Sequence, residues 1–224
     1  WLAIEFRDSG GRFKHLHKMI VTSSTYCQSS AVSEKFAQID SNNRYHWRMN
    51  RRRLEAEALR DAILAVSGAL NNQIGGPGFY LFKLEKTAHS PHYEYHKFDP
   101  ADPKSHRRSI YRFIARSQPD PFMTTLDCAD SSQSTPKRDE TLTALQALSL
   151  LNNKFTLHMA NRFASRIEKE SKTLRGRIRR AHQLTTGRPP RPEEMVALED
   201  YTQKHGLPNL CRVLFNLSEF TYLD

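Results

Sequence analysis

The chain has 224 residues, 34 Lys and Arg against 24 Asp and Glu, a net charge of +10, and 38% hydrophobic residues. That length supports one large or two small domains with a sizeable core, and the composition excludes a low-complexity or disordered chain. No apolar run approaches the roughly 18 residues of a membrane-spanning helix, so no membrane insertion is expected, and no secretory leader pattern opens the chain.

The opening WLAIEF reads as the interior of an amphipathic helix, with Trp1, Leu2, Ile4 and Phe6 arriving before any capping residue. The expectation is therefore an N-terminally truncated domain, in which the missing leader excludes nothing about export. Gly10 and Gly11 break this helix, and Phe13, Leu16 and Ile20 space a second. TSSTYCQSS ends it, and DSNNRYHW makes a turn because Asp and Asn tolerate left-handed backbone. Asn50 is the expected N-cap of a central helix, NRRRLEAEALRDAILAVSG. Leu54, Ala58, Leu59, Ala62, Ile63 and Val66 cover one arc of it, with Glu55 near the centre and Arg51 and Arg52 one turn earlier. A buried Glu55 then calls for an arginine bridge from its own helix. Leu64 lies opposite, beside Glu57, Arg60 and Asp61, which predicts neighbours on both flanks.

GGPG at Gly75 to Gly78 ends that unit, and FYLFKL reads as a short strand. EKTAHSPHYEYHKFDPADPKSH reads as an exposed loop, and RRSIYRFIAR, Arg107 to Arg116, as a second strand that pairs with the first. Irregular chain follows to about Asp139. TALQALSLLNN is a helix apolar nearly all round, with Gln146 as its inward polar group. Phe155, Met159, Phe163 and Ile167 mark a second helix, and Leu174, Ile178 and Ala181 a third. Gly187 stops that one, and Pro192 with two glutamates starts the next. Gly206 and Pro208 stop it in turn, and Leu210, Val213, Leu214 and Leu217 stripe the last. The expected fold is mainly α: one multi-helix domain over 1–224 with a small inserted β-hairpin. Residues 71–140 form its irregular and β insertion, and 192–224 a C-terminal helix pair.

Chemistry-bearing motifs are sparse. Of the basic residues 22 are Arg and 12 Lys, and arginine's planar fork favours internal ion pairs or a polyanionic partner. Cys27, Cys128 and Cys211 are odd in number and far apart, without CxxCH haem attachment or zinc spacing, leaving one disulfide or three buried thiols open. His89, His92 and His96 give H-x2-H-x3-H, yet Pro91 interrupts the set, so loop histidines are expected and no metal site. No GxSxG, SxxK, GxGxxG or phosphate-cradling loop is present. Glu55, Glu57 and Asp61 are paired carboxylates among arginines, an environment that suits salt bridges better than acid catalysis. Two basic stripes remain, Arg44, Arg48 and Arg51 to Arg53, and Arg175, Arg177, Arg179, Arg180, Arg188 and Arg191.

In order along the chain, HLHKMIVTSSTYCQSS, RMNRRRLEAEALRDAILAVSG, GGPG, RRSIYRFIARSQPDPF, LDCAD, TALQALSLLNN, TGRPPRPEE and NLSEFTYLD closely resemble a planctomycete-type C-terminal domain of unknown function. Such domains occur in large exported proteins that often carry an N-terminal cytochrome-c-like domain. The resemblance implies a polar set, Arg52, Glu57, Arg60, Asp61, Arg107, Arg108, Tyr111, Arg116, Asp127, Arg138 and Gln146, to which the reading above adds Glu55. It supplies no catalytic role for any of them. It also implies export, no cofactor within this fragment, haem in a missing upstream domain, and upstream domains of the same protein as partners. Cys27 stands where a basic residue is common, and Arg191 where a capping Thr or Ser is common. The preferred expectation is a scaffold or accessory domain of a secreted, cytochrome-linked protein acting on extracellular polymers. The alternatives are a polyanion-binding module using the arginine stripes, and a hydrolase or oxidoreductase site built on the Arg, Asp and Glu set.

Overall fold

The structure is a computed structural model and describes residues 1–86 and 90–223. Its contacts divide the chain into two compact units, Trp1–Arg52 with the C-terminal strand, and Arg53–Thr221.

The first unit holds α1 (Leu2–Asp8), α2 (Phe13–Val21) and α3 (Glu34–Ile39). Gly10 and Gly11 make the tight turn between α1 and α2 with φ of 74° and 72°, and Phe6 meets Phe13 at 4.9 Å between ring centroids. None of the three helices contains a buried residue. The expected turn before Trp47 is built by Asp40, whose carboxylate accepts the Tyr45 N–H (2.8 Å) and whose carbonyl accepts Trp47 Nε1 (2.8 Å). Asn43 takes the left-handed conformation there, at φ 53°.

The chain then runs extended through β1 (Arg52–Arg53) into α4 (Ala56–Val66). The central helix thus starts at Ala56, not after Asn50, and Glu55 is its N-cap residue in extended conformation. Two tertiary contacts enforce the late start. The Leu54 N–H donates to Thr221 O (2.8 Å), and Arg53 donates to Thr141 O (2.7 Å) and Gln146 Oε1. Arg51 and Arg52 therefore do not lie one helical turn ahead of Glu55. Once the helix begins, both flanks are covered as expected: Leu59 and Ile63 are buried, and so are Arg60 and Leu64.

The hairpin is local. β2 (Lys83–Lys86) pairs antiparallel with β3 (Pro91–Glu94), Lys83 opposite Glu94 and Lys86 opposite Pro91. The segment 107–116 is not its partner strand. Residues Ser109–Tyr111 curl into a 3-10 turn, because the Ser109 N–H and hydroxyl are both held by Asp61. What survives of the expected pairing is one parallel bridge, Phe79 to Arg112. His92 lies in β3 and His96 in the turn after it, 3.0 Å from Glu94; His89 lies outside the described residues.

The rest is helical: α5 (Pro121–Thr125), α6 (Ala144–Asn152), α7 (Lys154–Glu170), α8 (Leu174–Thr186), α9 (Pro192–His205), α10 (Leu207–Leu214) and α11 (Ser218–Thr221), before the short β4 (Tyr222–Leu223). Met159, Phe163 and Ile167 of α7 form the core with Leu59 and Ile63 of α4, Ile178 of α8, Leu210 and Leu214 of α10, and Phe215. Each such side chain contributes about 1.5–3 kcal/mol on burial. α6 is less buried than its apolar sequence implies. Leu145 and Leu148 are 64% and 52% exposed, while Gln146 is 1% exposed.

α9 shows how one charged residue replaces a missing cap. Arg191 has no side-chain acceptor to offer, and Glu194 instead reaches back to the Arg191 N–H (2.7 Å). Glu194 also takes both Nη atoms of Arg188 at 2.8 Å, and Arg188 binds Glu219 as well. The Arg188 hydrogen bonds, then the Arg191 N–H, pull the Glu194 carboxyl down to about 2. A carboxylate depressed on folding stabilises above its unfolded pKa, and that contribution is lost as pH falls towards the folded value. Glu194→Gln is expected to cost about 1–2 kcal/mol at neutral pH, a modest figure because Glu194 is partly solvated. Urea denaturation between about pH 5 and pH 2 should show a flatter acid limb in the variant; an unchanged limb would remove Glu194 from the acid sensitivity of this fold.

Candidate functional site

The twelve residues that the sequence singles out fall into separate groups rather than one constellation. The first centres on Arg60, 1% exposed. Its guanidinium donates to Ser105 O, to Arg107 O (3.1 Å) and to Ser109 Oγ (3.2 Å). The rings of Phe79 and Phe155 lie 5.1 and 5.3 Å from its central carbon. Asp61 supplies the nearest countercharge, Oδ1 at 3.6 Å, while accepting the Ser109 N–H and hydroxyl at 2.8 and 2.7 Å. Arg108 stands 3.8 Å from the other oxygen of Asp61. Burial pulls the Arg60 pKa down to about 10 against the opposing pull of Asp61, which leaves the group charged at neutral pH.

Arg107 and Tyr111 clamp the glycine-rich loop. Arg107 donates to Pro77 O, Gly75 O and Gln73 O (3.3 Å), and lies 4.3 Å over the Tyr111 ring. The Tyr111 hydroxyl in turn accepts the Gly75 N–H (3.1 Å). Arg60 and Arg107 are thus spent on backbone carbonyls of residues 73–77 and 105–107, which is the work of bracing irregular chain that has no ladder of its own.

A third group closes on Asp127, whose positive φ of 61° turns the chain after α5. Its carboxylate accepts the Thr141 N–H (2.7 Å), the Thr141 hydroxyl and Gln146 Nε2 (2.9 Å). Gln146 also completes a capping box with Thr143 at the start of α6. Arg116 stands apart, donating to Ser132 O (3.0 Å).

The fourth group lines a cleft of about 450 Å³. Glu57 accepts Arg138 Nη1 at 2.6 Å, and Arg138 Nε lies 3.6 Å from the half-exposed Glu55. The guanidinium that answers these acids comes from 81 residues further along the chain, not from their own helix. Burial pushes the Glu57 carboxyl up, but the Arg138 hydrogen bond and charge outweigh it and hold it below its usual value. The Cys128 thiol contacts Glu57 (3.4 Å), and Arg112 Nη2 contacts the sulfur (3.5 Å). Burial, then the Glu57 charge, push that thiol up to about 11, so it is a poor nucleophile at neutral pH. Deeper still, Arg112 Nη1 faces Asp120 Oδ2 at 3.9 Å, the two side chains 6% and 7% exposed. Asp120 caps α5 through the N–H groups of Phe122 and Met123. Burial raises its carboxyl pKa despite Arg112 and those two N–H groups. Tyr95 and Asp120 also border a second cavity of about 340 Å³ walled by Phe98, Phe122 and Phe155.

Arg112, Asp120 and Cys128 belong to this cleft and are absent from the expected set. The run DPF carried a legible signal, an Asp cap before a Pro at the first helical position. For Arg112 and Cys128 no local pattern exists, since only the tertiary fold brings them to Glu57.

Outside the cleft, the second arginine stripe is largely engaged internally. Arg175 pairs with Glu199 (3.8 Å), Arg180 with Glu170 (2.6 Å), Arg188 with Glu194 and Glu219, and Arg177 donates to Ser171 O. In the first stripe Arg48 lies over Trp47 and bonds Asn50. The three cysteines are free thiols, Cys27 exposed and Cys211 buried. Among the described residues no group of three or more His, Cys, Asp or Glu stands together as metal ligands would, and no helix is long and apolar enough to cross a membrane.

A family model described as PSD1, protein of unknown function (DUF1553), matches residues 1–202. No curated protein and no solved structure matches the chain.

Proposed function

The chain belongs to the PSD1 family of proteins of unknown function, DUF1553, and on that premise we propose that it serves as a braced accessory domain of an exported, cytochrome-linked multidomain protein acting on extracellular polymers. The observation that carries this reading is the fate of the Arg60 guanidinium. It is buried and spent on Ser105, Arg107 and Ser109 of its own chain, as a structural strut is and a substrate-gripping arginine is not. Arg107 and Gln146 are consumed in the same way. A second support is apolar surface. Trp1, Ile4, Phe13 and Val21 are 77%, 54%, 65% and 45% exposed on the α1–α2 pair, and they fit docking onto upstream domains of the same protein. The polyanion reading draws less support, because three of the six arginines in its second stripe are already paired with glutamates and Arg177 is held by a backbone carbonyl.

Cell fractionation of the native protein with a stain for covalent haem tests the reading directly. The expected result is haem-positive protein outside the cytoplasm. Cytoplasmic, haem-free protein would overturn the export and cytochrome link. For the strut itself, Asp61→Asn should lower thermal stability; a variant of full stability that abolishes the whole protein's activity would make the Arg60 group catalytic instead.

A further inference from the structure

We propose that the cleft between Arg112, Asp120, Glu57 and Arg138 binds a neutral sugar ring, one hydroxyl of which bridges the open Arg112–Asp120 pair while a neighbouring hydroxyl meets the outer face of the closed Glu57–Arg138 pair. The inference goes beyond the accessory-domain reading and does not need export or haem to be true.

The argument starts from an ion pair that is left open. Arg112 Nη1 and Asp120 Oδ2 face each other at 3.9 Å although both side chains are more than nine-tenths buried. That separation is too long for a hydrogen bond. A buried pair normally closes to recover the cost of desolvating both charges, and here Asp120 Oδ1 is committed to the Phe122 and Met123 N–H groups while Oδ2 faces the arginine. One hydroxyl placed at such a gap donates to the carboxylate and accepts from the guanidinium, satisfying both.

The second couple, Glu57 with Arg138 at 2.6 Å, lines the same cleft, and Cys128 Sγ touches members of both couples, Glu57 at 3.4 Å and Arg112 at 3.5 Å. Charge then selects the ligand. An anion entering to meet Arg112 and Arg138 also meets Asp120 and Glu57, and a cation meets the reverse penalty. A neutral group that donates and accepts at once meets neither. Several such groups on adjacent carbons of one ring match two couples joined through a single sulfur atom. Ile114, Pro119 and Met123 in the same cleft offer apolar contact for the C–H face of the ring. The volume of about 450 Å³ lies in the range of small-molecule sites. The aromatic cavity bordered by the same Tyr95 and Asp120 gives room for a second ring, so a linked sugar should bind more tightly than a single one.

The test is ligand-observed NMR and calorimetry on the intact protein. The probes are glucose, galactose and mannose, then cellobiose and lactose, with phosphate, sulfate and ethanolamine as charged controls. The expected result is binding of at least one sugar and of none of the charged controls. A disaccharide that binds more tightly than its monosaccharides points to a saccharide chain as the natural ligand, and equal affinity to a free sugar. Asp120→Asn, which keeps an acceptor for the α5 cap, should weaken binding at least about tenfold, the loss of one hydrogen bond to a charged group. Thr124→Trp, placed on the exposed face of α5 at the cleft, should block it with an unchanged melting temperature. If no sugar binds, if a charged control binds instead, or if binding survives Thr124→Trp, the proposal is wrong.

Discussion

Arg60→Ala should destabilise the Arg53–Thr221 unit by about 3–5 kcal/mol, the range for removing one member of a buried charged network. Three acceptors lose their donor at once: Ser105 O, Arg107 O and Ser109 Oγ. Asp61 loses its nearest countercharge, and the faces of Phe79 and Phe155 lose their cation. Water cannot easily replace the guanidinium, because the site is 1% exposed and one or two waters satisfy fewer groups in a fixed fork geometry. Arg60→Met refills most of the volume and leaves the acceptors unpaired, so it should recover only about 1 kcal/mol. Arg60→Lys keeps the charge and some of the hydrogen bonds but reaches fewer acceptors, and should fall between Arg60→Met and the parent protein. Urea denaturation of the three variants reads this order. If Met rescues as well as Lys, packing and not hydrogen bonding holds the 105–109 loop, and the strut reading of Arg60 fails.

The same residue shows how much of this molecule was legible in the sequence. α7 could be read from spacing, because Phe155, Met159, Phe163 and Ile167 repeat every four residues and all four are buried, as could α8 from Leu174, Ile178 and Ala181, and α9 from the Gly187 stop and the Pro192 start. Helical periodicity is local, and local signals survive folding. The start of α4 was not legible, since it is set by Thr221, Thr141 and Gln146, residues far away along the chain. The hairpin was misplaced for a related reason. RRSIYRFIAR alternates like a strand, yet Asp61 captures the Ser109 N–H that an antiparallel ladder would need. For the site, charged residues on α4 identified half of each interaction. Glu57 and Arg138 both stand in the polar set that the family resemblance implies, but no local pattern paired them or put Arg112 and Cys128 beside them. Arg107 and Arg116 stand together in the expected polar set, whereas Arg107 faces inward to the loop carbonyls and Arg116 lies apart.

Phe163→Ala should cost about 3–5 kcal/mol as well, through entirely different physics. Phe163 is fully buried on α7 and stacks on Phe215 at 5.8 Å with 14° between the ring planes. Truncation removes both the transfer free energy of the ring and the contacts of the neighbours left around the void. Phe163→Leu keeps most of the volume and should cost about 1–2 kcal/mol, a graded response that Arg60 lacks. Eight residues separate Phe163 from Phe155, roughly 12 Å along the helix, and Phe155 is the ring that covers Arg60. The hydrogen bonds and ring contacts of Arg60 run to the 105–109 loop, Phe79 and Phe155, and the stacking of Phe163 runs to Phe215. A double variant of Phe163→Leu with Arg60→Lys should therefore equal the sum of the single changes within about 0.5 kcal/mol. Arg60→Lys with Asp61→Asn, by contrast, should fall well short of its sum, because each single change already breaks the same network. Coupling in the first pair would mean that the apolar core and the polar braces yield as one body, so that the braces could not be altered without loosening the helices beneath them. Additivity there, with coupling in the second pair, is what the proposed accessory role requires: a rigid helical core that tolerates change in the irregular 71–140 segment braced against it.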